Sequence, residues 1–178
     1  MSEIKKHLAF YLVIDESWTT GELAQRCRQA VEQGVTCLDI LGSDQDRIAA
    51  VQQVAIEHGL PCITQFGDGD GAYLPTVDMV ADMRQKLGAK AIVGCTVFGA
   101  GEAKEAQKAG ADYLGVPVQR TGLEALKAIC AAVGIPVVAY EPKDIAALHG
   151  CGINGVGFLA QAMPADLSST AAAIAEVL

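Results

Sequence analysis

The chain has 178 residues and a formal net charge of −8, with 51% apolar and only 5% aromatic residues. That length suits a single domain, residues 1–178, with a sizeable core. The charge argues against nucleic acid, which needs a basic face, and against an anionic membrane surface.

Lys5 and Lys6 precede the apolar run 8–14. The run is short, ends at Asp15-Glu16 and has no small-residue cleavage site, so it reads as a buried strand and not a signal segment. Thr19-x-x-Glu22 reads as a capping box, opening a helix with Leu23, Cys27, Ala30 and Val31 on one face. A second strand runs over 35–40. Ser43 or Asp44 starts the next helix, with Ile48, Val51 and Ala55 inward. A third strand begins near 60. Residues 71–74 read as a weak fourth strand, about eleven residues further on, which is too close for a helical crossover. Either a helix is missing there or 71–74 is not a sheet strand. Helices near 77–87, 101–109, 122–132, 143–149 and 166–178 alternate with strands starting near 90, 112, 136 and 154. Glycines at 34, 59, 88, 110, 134 and 150 (or 152) follow the helices, where a left-handed residue ends them.

Eight strands in this length give roughly 22 residues per unit, where an ordinary (β/α)8 barrel uses about 250 residues in all. A five-strand doubly wound sheet would use about 35 per unit, which the spacing does not fit. The predicted fold is therefore α/β: a compact (β/α)8 TIM-type barrel with the third crossover helix missing or reduced.

Ligands bind such barrels where the strands end. Those positions are Asp15, Glu16 and Ser17; Asp39 and Ser43; Gln65, Asp68 and Asp70; Asp78; Thr96 and Phe98; Gln119 and Arg120; Tyr140, Glu141 and Lys143; and Gln161. The mouth is acidic, with Arg120 and Lys143 its clear cations. His7, His58 and His149 fall at the opposite face, so a catalytic histidine is not expected. Lys90 starts its strand and Lys143 lies in a loop, which argues against a Schiff-base lysine. The segment 67–71 holds Asp68 and Asp70, which with Asp78 could carry a hard cation, but the spacing favours a tight glycine turn. No GxGxxG or Walker sequence and no Gly-Gly pair after a strand offers a phosphate cradle. Six cysteines without a CxxC pair read as reduced core residues of a cytoplasmic protein.

Residues 11–15, Gly34-Val35-Thr36, 93–97, 102–116, 122–126 and 135–139 resemble the thiamin phosphate synthase / TenI family of (β/α)8 barrels. The resemblance implies a magnesium-held pyrophosphate leaving a pyrimidine methylene, with attack by a thiazole phosphate nitrogen. The departures fall on the positions that would hold these groups. The family's Gln-Leu-Arg-x-Lys is Asp39-Ile40-Leu41-Gly42-Ser43, and its Asn-Asp-Arg is Gln65-Phe66-Gly67. Its phosphate-binding Gly-Gly is Tyr140-Glu141-Pro142, and its final serine is Ala160. The loop after strand six is shortened to 116–121, and the tautomerase branch's histidine is Phe98. Asp78 matches a magnesium aspartate and Thr96 keeps the hydroxyl of a family serine.

Three functions stay open. The expected one is a degenerate member that has lost the transferase reaction and binds a small ligand or a partner, with a link to thiamin metabolism implied by the resemblance. The second is an active enzyme of thiamin or thiazole phosphate chemistry with an atypical site. The third is another small barrel enzyme using its acidic mouth. Candidate catalytic residues are Asp39, Thr96 and Glu141. Candidate ligand contacts are Asp15, Gln65, Gln119, Arg120, Tyr140 and Lys143. Asp78 is the candidate metal ligand, with magnesium the cofactor implied, and a homo-oligomer is possible.

Overall fold

The computed structural model describes residues 3–178. Eight parallel strands close into a barrel in chain order. They are β1 (Phe10–Ile14), β2 (Cys37–Ile40), β3 (Cys62–Thr64), β4 (Gly71–Leu74), β5 (Ile92–Thr96), β6 (Tyr113–Pro117), β7 (Val137–Tyr140) and β8 (Gly155–Leu159). The barrel shuts where β8 pairs with β1, Tyr11 lying opposite Gly157. Residues 71–74 are a true strand: Gly71 and Ala72 pair with Ile63 and Thr64 on one side, and all four residues pair with β5 on the other.

The helices are α1 (Glu3–His7), α2 (Thr20–Glu32), α3 (Gln45–His58), α4 (Val80–Leu87), α5 (Ala100–Ala109), α6 (Val118–Thr121), α7 (Leu123–Ala132) and α8 (Leu167–Val177). The third crossover has no helix, as the spacing predicts. The seventh differs from expectation, because 143–149 holds only a 3-10 turn, Ala146–Leu148. The segment spans fewer than two α-helical turns and buries only Leu148, too little packing to hold an α-helix. Short α1 was not expected. Its Ile4 packs against the lumen residues.

Local chemistry explains most helix ends. The Asp44 carboxylate caps α3 by accepting from the Asp46 and Arg47 amides. The capping box at α2 takes another form, the Thr19 hydroxyl donating to the Glu22 carboxylate at 2.8 Å and not reaching a backbone amide. Gly134 is not a left-handed stop. α7 ends in extended Val133, and the Gly134 amide donates to Gln107 Oε1.

Apolar residues form two layers. Outward-facing strand residues such as Leu12, Leu38, Val93 and Leu114 pack beneath helix residues such as Leu23, Val51, Ala106 and Ile129. Inward-facing Tyr11, Cys37, Ile63, Tyr113 and Val138 fill the lumen. The six cysteines are all free, with five buried and Cys130 half-buried. No described helix is long and apolar enough to cross a membrane.

Candidate functional site

The chain's four tyrosines all sit on strands and meet in the upper lumen. Their spacing follows from strand register. Gly94 lies between Tyr73 and Tyr113 across three adjacent strands, and Gly157 lies between Tyr140 and Tyr11. A Cβ on Gly94 would land in the Tyr113 ring, and one on Gly157 in the Tyr140 ring. A Cβ on Gly115 would strike the Tyr73 hydroxyl and the Tyr140 ring. Glycine supplies the volume that four rings need inside a small barrel. Tyr73 stacks on Tyr113 with centroids 5.9 Å apart, and Tyr11 meets Tyr140 edge-on at 5.5 Å. These are favourable aromatic geometries.

Asp39 is fully buried beside these rings. Its Oδ2 accepts from the Tyr11 hydroxyl at 2.9 Å, and that hydroxyl lies 2.7 Å from the Tyr113 hydroxyl. Tyr73 and Thr96 hydroxyls are 2.9 Å apart. Asp39 Oδ1 and the Tyr140 hydroxyl have no partner. Burial pushes the Asp39 carboxyl up to about 7, while the Tyr11 hydrogen bond opposes the shift. All four tyrosines are pushed upward by burial as well, so they remain neutral. This network can hold or exchange a proton near neutral pH and can offer hydrogen bonds in a place shielded from water.

Above it, at the strand ends, a pocket of about 230 Å³ is lined by Val13, Asp39, Leu41, Tyr73, Thr96, Pro117, Tyr140, Glu141 and Leu159. The mouth is therefore narrowed but not filled. Phe66 and Phe98 are both exposed and do not line the pocket.

Of the residues predicted for the site, the structure brings Asp39, Thr96, Tyr140 and Glu141 to the pocket. Gln119 does not line the pocket and reaches it only through Glu141, its Nε2 donating to the Glu141 carbonyl at 3.0 Å. The Arg120 guanidinium lies 4.7 Å over the Phe98 ring. Asp15 does not reach the pocket, because its carboxylate accepts from the Ser17 amide in a local turn. Gln65 is exposed, and exposed Lys143 lines a separate cleft beside Val118 and Leu148. Asp68 and Asp70 leave the mouth altogether. The loop descends the barrel wall, and Asp70 Oδ2 accepts from the Cys62 amide at the opposite end of β3.

The lumen tyrosines other than Tyr140 escape the sequence reading, which looks only at strand ends. Their signal is present, since every tyrosine falls in a strand and its register neighbours include glycine.

Magnesium, which the resemblance implies, does not fit this donor set. Among the described residues no three His, Cys, Asp or Glu side chains gather where a cation could sit. Asp78 is exposed on the turn before α4. A hard divalent ion with one or two carboxylates needs substrate oxygens to complete its shell, and the pocket has no cation to hold such a phosphate.

Glu141 is the one non-glycine residue with positive φ among those described, at 48°. Its amide donates to the Gly157 carbonyl at 2.8 Å while its carbonyl accepts from Gln119, which holds the left-handed geometry. Glu141→Gly should relieve about 1 kcal/mol of strain. A melting point raised by roughly 2–4 °C is expected. A lower one would show that the glutamate side chain stabilises the turn by more than its backbone costs.

Comparisons with known proteins agree with the fold. A family model described as thiamine monophosphate synthase matches residues 67–161. The chain is 31% identical over 160 residues to the thiamine-phosphate synthase of Desulfitobacterium hafniense, covering 74% of this chain and 77% of that one. It is 27% identical over 185 residues to the thiamine-phosphate synthase of Clostridium novyi, covering 88% and 91%. A solved thiamine phosphate pyrophosphorylase from Pyrococcus furiosus superposes with TM-score 0.82 at 24% identity, over 99% of this chain and 100% of that one, and so shares its fold.

Proposed function

The chain belongs to the thiamine monophosphate synthase family, and on that premise we propose that it is a member without the standard transferase activity, a cytoplasmic binder of a small unphosphorylated ligand at its barrel mouth. One observation carries this reading. The pocket is lined by two carboxylates, Asp39 and Glu141, and by no lysine or arginine. A like-charge pair about 4 Å apart costs roughly 4 kcal/mol at a partly buried site. A pyrophosphate brings several such charges, and its departure is driven by positioned positive charge.

The nearby arginines do not compensate. Arg47 is spent on the Trp18 and Asp15 carbonyls, at 2.7 and 2.8 Å. Arg120 rests on Phe98. In this reading Asp39, Thr96 and Glu141 contact the ligand, Tyr140 supplies a ring wall, and Gln119 fixes the rim.

The activity for which the relatives are named favours a second reading, an active synthase with an altered site. One assay separates the two. Purified protein with hydroxymethylpyrimidine pyrophosphate, thiazole phosphate and magnesium is expected to yield no thiamin phosphate. Steady formation in proportion to enzyme would overturn the proposal and establish the second reading.

A further inference from the structure

We propose that the mouth pocket is a receptor for a small organic cation bearing at least one N–H group, held by Asp39 at its inner end and walled by the rings of Tyr73 and Tyr140. This rests on reading the mouth as a binding site. It adds the charge and class of the ligand.

Three observations converge. First, Asp39 is 0% exposed, lines the pocket, and leaves Oδ1 without a partner. Buried acceptors are normally satisfied, so a missing donor is the simplest account of this one. Second, the lining couples that carboxylate to a second one on Glu141 and to two aromatic rings. Carboxylates and π-faces both attract cations, and together they repel anions. Third, the cavity of about 230 Å³ suits a single small ring or a branched head group.

A cation is favoured over a neutral donor because of what surrounds Asp39. The titratable groups facing it are Tyr11, Cys37, Cys62, Tyr73, Tyr113 and Tyr140, all pushed upward by burial and so uncharged, with Glu141 at the same pocket. Among the described residues no lysine or arginine lines the pocket to stabilise the ionised carboxylate. A bound cation supplies that charge, ionises Asp39 and releases its proton. Binding should therefore strengthen as pH rises through about 7, where the carboxyl loses its proton in the free protein.

The test uses calorimetric titration of the full chain with four probes of similar kind: benzamidinium and methylguanidinium as cations, benzamide as the neutral counterpart of the first, and benzoate as the anion. The cations are expected to bind, benzamide about tenfold more weakly or worse, and benzoate not measurably. Asp39→Asn should weaken benzamidinium binding about 10- to 100-fold. Near pH 6.5, two buffers of different ionisation enthalpy should report proton release from the wild type on benzamidinium binding. If Asp39→Asn fails to fold, this buffer dependence carries the test by itself. Equal affinity for benzamidinium and benzamide would overturn the proposal. So would failure of both cations to bind, a folded Asp39→Asn that binds benzamidinium unchanged, or binding with no proton release. Failure here with no thiamin phosphate in the transferase assay removes only the cation, whereas formation of thiamin phosphate removes the underlying reading.

Discussion

Gly94→Ala and Gly157→Ala are each expected to destabilise the protein by about 3 kcal/mol, lowering the melting point by roughly 6–12 °C. A single methyl is enough because neither ring it meets can retreat. The Gly94 Cβ would enter the Tyr113 ring, whose face is stacked on Tyr73 and whose hydroxyl is tied to Tyr11 at 2.7 Å. The Gly157 Cβ would enter the Tyr140 ring, which is wedged edge-on against both Tyr11 and Tyr73. Close-packed interiors relieve such overlap only by shifting strands or breaking rotamers. Two controls give the result its meaning. Gly101 lies in α5 with open space around its Cβ, so Gly101→Ala should gain up to about 1 kcal/mol. The double change Gly94→Ala with Tyr113→Leu should be less destabilised than the sum of its parts, because the smaller side chain vacates the collision. Urea denaturation of the wild type, the three glycine variants, Tyr113→Leu and the double variant checks this. A Gly94→Ala protein as stable as the wild type would sink the packing described for the lumen.

The same glycines mark how far the sequence is legible. Apolar runs and helix-ending glycines place seven of the eight strands, because a buried parallel strand must be apolar on both faces, and leave 71–74 to be decided by its pairing with β3 and β5. The close approach of residues 62 and 71 announces the missing third helix, since so short a connection cannot hold one. The seventh crossover is misread because 143–149 has helical composition. With only Leu148 buried, fewer than two turns gain too little packing to offset helix nucleation, which composition does not weigh. In the site, strand-end residues such as Asp39, Thr96 and Glu141 follow directly from the architecture. Asp70 does not, because a loop with no helix can carry a strand-end residue down to the opposite face. The tyrosine cluster is legible only in register. Which tyrosine faces which glycine depends on pairing between strands far apart in sequence.

Scaffold and site therefore carry separate information. The scaffold is that of the family over nearly its whole length, and the TM-score of 0.82 follows from strand and helix positions that many sequences satisfy. The chemistry depends on a few side chains at the strand ends. There, a buried acid is bonded to a tyrosine. A glutamate is forced to left-handed φ at a strand end, and the resemblance implies that both positions depart from the family pattern. Each substitution has a structural cost, orphaned polar atoms in the first case and backbone strain in the second. Both costs fall at one pocket, as costs retained for function do.

Asp39→Asn is expected to change the pH dependence of stability more than any other single substitution at the mouth. In the unfolded chain an aspartate titrates near pH 3.9. In the folded protein burial pushes Asp39 up to about 7. The folded state then holds the proton more tightly, so between about pH 4 and 7 it carries more protons than the unfolded state, and unfolding free energy falls as pH rises. The contribution is fully present below about pH 4 and is lost as pH rises through about 7. Across that window it amounts to about 4 kcal/mol. Glu22, Glu57 and Asp166 work in the opposite direction, because hydrogen bonds and ion pairs hold their carboxyls below the usual range. They are unchanged by the substitution and cancel when the two proteins are compared. Asparagine keeps an acceptor for the Tyr11 hydroxyl and cannot ionise. Wild-type stability relative to Asp39→Asn should therefore drop by about 4 kcal/mol from about pH 4 to pH 8, and the variant should be the more stable protein at the alkaline end. Urea denaturation of both proteins at several pH values measures the difference directly. A difference that does not vary with pH would mean that Asp39 is ionised and solvated throughout. That result would remove the proton-exchanging network, and with it the proton release expected when a cation binds.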